Sequence, residues 1–236
     1  MTTAYAVNDH GRIVGQGNDP TNAAVTKGFY IDDGDAEATD IGALLGLGHN
    51  SAIAFAVSQN GLITGSSSLN SGAGAQAFLW SETDGMVAID FPSGASTSSG
   101  RGINNDGWVV GNAGGVTSLP FLYDGHSTYL LHDLIAVGGD GWSLVDGTSN
   151  SAMGISNNGT IIGRGLLNNR LTAFLMFRID TLIGDVNLDG AVDLLDVAPF
   201  VDLIATGTFQ SEADINQDGF VDLLDVEPFV TLLTGN

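Results

Sequence analysis

Hydrophobic and polar positions alternate in short runs through the first three quarters of the chain, and the pattern restarts four times. It reads Ala-Val-Asn-Asp-His-Gly-Arg-Ile-Val-Gly from Ala6 and Ala-Val-Ser-Gln-Asn-Gly-Leu-Ile-Thr-Gly from Ala56. It returns as Gly-Ile-Asn-Asn-Asp-Gly-Trp-Val-Val-Gly from Gly102 and Gly-Ile-Ser-Asn-Asn-Gly-Thr-Ile-Ile-Gly from Gly154. Each copy places a β-rich run before a polar pair and a glycine, then a second β-branched run. A polar tip ending in Gly suits a hairpin turn that needs positive φ, which Gly tolerates at least cost. The turn glycines Gly11, Gly61, Gly107 and Gly159 lie 50, 46 and 52 residues apart. An aromatic-rich run follows each hairpin, at 28–31, 77–80, 120–123 and 173–176, and predicts a third strand. Segments 86–91 and 128–131 predict a fourth. The fourth unit lacks a clear last strand.

Short strands at regular spacing with turn signals between them predict an all-β repeat domain. Three or four strands per unit of about 50 residues match a β-propeller blade, with a β-solenoid as the second architecture. The repeats resemble the HAF family of extracellular repeats, whose units pair a Gly-Ile-Asn-x-x-Gly-x-Val-Val-Gly hairpin with a His-Ala-Phe-Leu-Trp strand. The likeness covers roughly residues 4 to 179. Lys27, Gln76, Leu119 and Thr172 stand where the family has His. The resemblance implies a secreted or surface repeat protein without assigned chemistry.

A second, unrelated repeat closes the chain. Residues 185–204 and 214–233 match at 14 of 20 positions, at an offset of 29. Each begins with the spacing of an EF-hand-type loop. Ca²⁺ takes six to eight oxygen ligands, which a twelve-residue loop supplies from positions 1, 3, 5, 7, 9 and 12. Here those positions hold Asp185, Asn187, Asp189, Ala191 (through its carbonyl), Asp193 and Asp196. In the second loop they hold Asp214, Asn216, Asp218, Phe220 (through its carbonyl), Asp222 and Asp225. Gly190 and Gly219 stand at the sixth position, where the bend is sharpest. Val192 and Val221, at the eighth, are predicted to point inward. A helix is predicted after each loop, from Leu194 to about Ala205 and from Leu223 to about Leu233. Pro199 and Pro228 sit near the helix starts, where Pro is tolerated. Phe200, Val201 and Ile204 are expected to form the core with Phe229, Val230 and Leu233.

No helix is predicted before either loop. A duplicated loop followed by an exit helix resembles the dockerin family, of type I-like pattern, over essentially all of 184–236. The resemblance implies two Ca²⁺ ions and a cohesin-like protein partner outside the cell. It places partner recognition at loop positions 10 and 11, here Leu194, Leu195, Leu223 and Leu224. From the sequence, one leucine of each pair is equally a core residue. The domains are thus expected at 1–179 and 184–236, joined by a short linker at 180–183. The fold class is mainly β: a propeller-like repeat domain, then a small helical domain with two EF-hand-like loops.

Composition narrows the function classes. The chain of 236 residues carries 27 acidic and 6 basic side chains, a net charge of -21. Such a polyanion repels nucleic acid and anionic membranes. Residues 184–236 hold 11 acidic side chains and no Lys or Arg, so each empty loop is an uncompensated cluster of carboxylates. With no Cys, disulfides and thiolate metal sites are excluded. No apolar run approaches the roughly 20 residues of a membrane helix. The first residues lack the basic and apolar regions of a secretion signal, which leads us to expect a fragment or a displaced start.

Catalytic motifs are lacking: there is no Gly-x-Ser-x-Gly, no His-Glu-x-x-His and no P-loop. His10, His49, His126 and His132 are scattered over different units and read as turn or surface residues. Asp32, Asp33 and Asp35, like Glu82 and Asp84, read as solvated loop charges, and Trp80, Trp108 and Trp142 as strand and core residues. The sequence therefore favours a non-catalytic protein displayed by a calcium-dependent dockerin. The alternative is a component of polysaccharide breakdown, with glycoside hydrolase or carbohydrate-binding activity in the repeat domain and a polysaccharide as partner.

Overall fold

The computed structural model describes residues 2–69, 72–114, 117–135, 138–178 and 182–234. The chain divides into two compact units, one built from residues up to Ile135 with Gly139–Phe177, the other from Arg178 onward. Two positions of the expected linker, 180 and 181, lie outside the described residues.

The first unit is mainly β, and its described residues form four antiparallel sheets. The first has β1 (Thr3–Val7), β2 (Ile13–Asn18), β3 (Thr26–Ile31) and β4 (Thr39–Asp40), in that order. The second repeats it with β5 (Ser51–Val57), β6 (Ile63–Ser68), β7 (Gln76–Ser81) and β8 (Gly85–Ala88). The third has β9 (Thr97–Ile103), β10 (Val109–Gly114), β11 (Ser118–Tyr123) and β12 (Thr128–Leu130). The fourth differs. Its first strand is split into β13 (Trp142–Ser143) and β14 (Ser151–Ile155), both paired to β15 (Ile161–Leu167), and β16 (Arg170–Met176) completes it. Among the described residues no sheet closes on itself.

Each repeated hairpin turns as its sequence predicts. Gly11, Gly61, Gly107 and Gly159 have φ of 81°, 85°, 78° and 83°. The residue that opens each turn (Asn8, Ser58, Asn104, Ser156) accepts the amide of that glycine. Its side chain secures the next residues, as when Asn8 Oδ1 accepts from the amides of His10 and Arg12 at 3.1 and 2.9 Å. Successive turns are also bonded to one another. Asn8 Nδ2 donates to the carbonyl of Ser58 at 3.0 Å, the amide of Gln59 donates to Asn105 Oδ1 at 3.0 Å, and the amide of Asn105 donates to Asn157 Oδ1 at 3.0 Å. The polar pair of the repeat is therefore a rung between units as well as a turn.

The last glycine of the motif has a different task. Every first strand carries a β-bulge opposite it. The bulge drives a carbonyl of that strand onto the facing residue of the second strand. A Cβ on Gly15, Gly65, Gly111 or Gly163 would stand 1.9, 1.9, 2.0 or 2.3 Å from the carbonyl oxygen of Thr3, Ile53, Ser99 or Ser151. Only glycine leaves room there.

Three cores join neighbouring sheets. Val14 of the first sheet packs with Ala54, Ile63, Phe78 and Trp80 of the second, together with Ile41 and Leu44. Ala77 and Ile89 meet Ile103, Val109 and Phe121. Val110, Leu122 and Leu131 meet Leu144, Ala152 and Ile161. The second and third sheets thus serve one core on one face and the next core on the other, so inward residues stand on both of their faces. Ile162, Leu171 and Leu175 of the fourth sheet stay exposed.

The second unit consists of two loops and two helices, α1 (Val197–Thr206) and α2 (Val226–Thr234). The helices begin later than the expected Leu194 and Leu223. Residues 194–196 form a single 3₁₀ turn first. Pro199 and Pro228 consequently stand in the first turn of their helices, where no amide donor is required. Phe200 and Phe229 meet with ring centroids 4.2 Å apart at the centre of a core that includes Val186, Ala213 and Val221. Ile204 and Leu233 pack against it. Val201 and Val230 do not belong to that core. They are 55% and 51% exposed, because each follows its buried Phe by one residue and so turns about 100° away on a helix.

Candidate functional site

The two loops of the second unit are built alike, residue for residue. The chain enters the left-handed region twice in each: at Leu188 and Gly190 (φ 60° and 92°), and at Gln217 and Gly219 (φ 60° and 91°). These two reversals curl the backbone around the first carboxylate. Asp185 accepts from the amides of Asp189 and Gly190 at 3.0 and 2.9 Å, as Asp214 does from Asp218 and Gly219 at 3.0 and 2.9 Å. Asn187 Oδ1 accepts from the amide of Asp189 at 2.8 Å and Asn216 Oδ1 from that of Asp218 at 2.9 Å. Their amide groups donate to Asp189 and Asp218 across each loop, at 2.9 and 3.1 Å.

The twelfth residue closes the loop. Asp196 accepts from the amides of Asn187 and Asp193, both at 2.9 Å; Asp225 accepts from Asn216 at 3.1 Å and Asp222 at 2.9 Å. Asp193 and Asp222 each accept, at 2.7 Å, from the amide two residues on. Asp193 and Asp196 thereby form a capping box around the 3₁₀ turn. The Asp-x-x-Asp spacing carries that signal. An Asp at position 12 closes the loop and starts the helix together.

Burial sets the electrostatics. Asp185, Asp196 and Asp225 are fully buried and Asp214 nearly so. No Lys, Arg or His exists in residues 184–236 to compensate them. A buried carboxylate without a counter-charge is costly. Its loop amides supply partial charge only. The donor set is therefore oxygen alone, strongly anionic and without a protein cation, which fits a hard divalent cation such as Ca²⁺. Among the described residues, no three or more acidic or histidine side chains are drawn together closely enough to clasp a metal. The predicted sphere relies on Asn187, Asn216 and the Ala191 and Phe220 carbonyls beside the carboxylates. Val192 and Val221 do face the core, as their place in the loop predicts.

Both leucines of each pair are exposed: Leu194 and Leu195 by 79% and 66%, Leu223 and Leu224 by 76% and 66%. The alternative in which one of each pair is core therefore fails. Each pair stands at positions 10 and 11 of its loop, just ahead of the helix, and projects outward. The contacts between the repeats were not legible in the sequence. Gln210 Nε2 donates to the carbonyl of Val186 at 2.9 Å, and the amide of Gly184 donates to that of Glu212 at 2.7 Å. Both involve unrepeated residues, so no pattern marks them.

In the repeat unit the scattered candidates take structural places. Trp80 is buried 5.3 Å from the ring of Tyr30, and Trp142 meets Phe174 edge-on at 6.2 Å. His49 stands in a loop yet is buried, contrary to the surface expected of it. Asp32 and Glu82 are joined by Arg12 rather than lying free: Nε and Nη2 reach Asp32 at 2.6 and 2.7 Å, and Nη2 reaches Glu82. That contact holds Asp32 below the usual carboxylate range.

Comparison with known proteins agrees with the loop chemistry at one end of the chain. Residues 183–228 match the dockerin type I domain family. No curated protein and no solved structure matches the chain. Dockerin modules as a class bind calcium and dock onto cohesin modules, and the match covers this C-terminal segment alone. No helix among the described residues is long and apolar enough to cross a membrane.

Proposed function

We propose that the C-terminal module binds two Ca²⁺ ions, one per loop, and docks a cohesin-like protein through Leu194, Leu195, Leu223 and Leu224. The observation that carries this reading is the exposure of those leucines, duplicated at positions 10 and 11 of two similarly built acidic loops. Asp185, Asn187, Asp189, Asp193 and Asp196, with the Ala191 carbonyl, hold the first ion. Asp214, Asn216, Asp218, Asp222 and Asp225, with the Phe220 carbonyl, hold the second. When bound, the ion neutralises the buried carboxylates and locks the loop against its helix. The protein's own part is to hold the oxygens in a curled loop and to aim the adjacent leucines at solvent. An exposed pair of apolar side chains per repeat offers two similar patches, so a partner can seat in either orientation.

The repeat unit is then the cargo, displayed outside the cell or at its surface, and it is non-catalytic. Four sheets of related order, joined by three inter-sheet cores, support a propeller-like, HAF-type reading of that unit. Titration of a purified cohesin module into the full chain tests the docking. Binding should require Ca²⁺, vanish in EDTA and fall at least tenfold in a Leu194→Asp/Leu223→Asp double variant. Binding that persists in EDTA, or that ignores the double variant, overturns the reading.

A further inference from the structure

Each sheet of the repeat unit begins with a bulged strand, and the extra residues are Tyr5, Phe55, Arg101 and Met153. A bulge leaves its residue unpaired and re-aims its side chain. Here all four line one cavity of about 480 Å³. The size lies in the range of small-molecule sites. Tyr5 and Phe55 meet with ring centroids 5.1 Å apart, and the Arg101 guanidinium lies 4.2 Å over the Phe55 ring. Arg164, beside Ser151 on the neighbouring strand, lines the same cavity.

The charge pattern is unusual for this protein. Acidic side chains outnumber basic ones 27 to 6, yet no Asp or Glu lines this cavity, while two of the six basic residues do. Arg12 and Lys27, by contrast, are both in ion pairs. Among the described residues, Arg101 makes a long contact to Asn112, at 3.5 Å, beside its ring contact, and no ion pair. Partial burial of the guanidinium pulls its pKa below the ordinary arginine value, while the residue stays open to a ligand from solvent. A cation so placed gains from an anionic ligand. The rim is polar: Asn112, Ser118 and Asn150 line it. Asn150 is 1% exposed, and its buried Oδ1 has no hydrogen-bond partner among the described residues.

We propose that this bulge-lined cavity is a binding site for a carboxylated sugar. The carboxylate sits between Arg101 and Arg164, whose planar forks match it. The apolar face of the sugar ring lies on Tyr5, which is 44% exposed, and the hydroxyls meet the amide and hydroxyl rim. The inference stands apart from docking, since it rests on residues of the repeat unit alone.

Calorimetric titration of the full chain in calcium buffer at low salt tests it, with digalacturonate as the probe, cellobiose as a neutral sugar and 4-hydroxybenzoate as a carboxylate without sugar hydroxyls. Digalacturonate should bind one to one and more tightly than either of the others. Arg164→Gln, at an exposed position, should weaken it about tenfold or more, the loss of one charged contact. Arg101→Gln and Tyr5→Ala, checked for unchanged circular dichroism, should do the same, and Leu194→Asp/Leu223→Asp should leave it intact. No heat with digalacturonate, equal binding of cellobiose, preference for hydroxybenzoate, or indifference to Arg164→Gln would each overturn the proposal.

Discussion

The carboxylate of Asp196 accepts a hydrogen bond of 2.9 Å from the backbone amide of Asn187, nine residues back. Asp225 and Asn216 repeat it at 3.1 Å. One contact ties the opening of each loop to the start of its exit helix, so an ion held by the loop would act on the helix start as well.

Calcium should accordingly stabilise the second unit. A ligand at a hundred times its Kd adds about 2.7 kcal/mol to the stability of the form that binds it. Far-UV circular dichroism in excess EDTA should show less helix than in excess Ca²⁺, and unchanged spectra would refute the coupling. Asp196→Asn should remove one of two calcium sites in a titration and leave the other.

The small unit leans on one aromatic pair. Phe200 and Phe229 are 2% and 3% exposed and in mutual contact. Phe200→Ala should cost about 3–5 kcal/mol, enough to unfold a unit of this size. Helical signal should be lost while the β signal of the repeat unit remains. Val201→Ala, at an exposed site, should change the melting temperature little.

Gly65 sits beneath a carbonyl that a methyl group cannot displace cheaply. Gly65→Ala should destabilise the repeat unit by about 2–3 kcal/mol through overpacking, measured by denaturant unfolding. Ser66→Ala, at the next position but turned to the other face, should stay within about 0.5 kcal/mol.

Arg12 binds Asp32 and lowers its pKa, so the sign of the pH effect follows. The contact stabilises the fold above the ordinary aspartate pKa of about 3.9 and is lost as pH falls through the lower folded value. The melting temperature of Asp32→Asn should therefore trail the parent at pH 6, and the difference should vanish toward pH 2–3. A gap that widens in acid would contradict this origin.

Much of this was legible from spacing because the signals are short-range. Gly11 and its three equivalents mark turns because few other residues adopt positive φ cheaply. Asp185, Asn187 and Asp189 mark a curled loop because alternate oxygens converge when the chain bends. The same locality explains the errors. Val201 and Val230 are apolar and helical, yet one residue of helical rotation puts them in water. Helix α2 starts at Val226, since Asp225 is held back closing the loop.

By itself the sequence determined four hairpin units, their turns and two acidic loops, all features set by neighbours within a dozen residues. Which faces of the sheets meet, that both leucines of each pair stand in solvent, and that Arg12 joins two neighbouring repeats were decided only by tertiary structure. So was the gathering of Tyr5, Phe55, Arg101 and Met153. They share a position in the repeat but not one chemistry, and about fifty residues separate each from the next. Only stacking the sheets brings such positions to one cavity, because packing acts between residues that no local pattern relates.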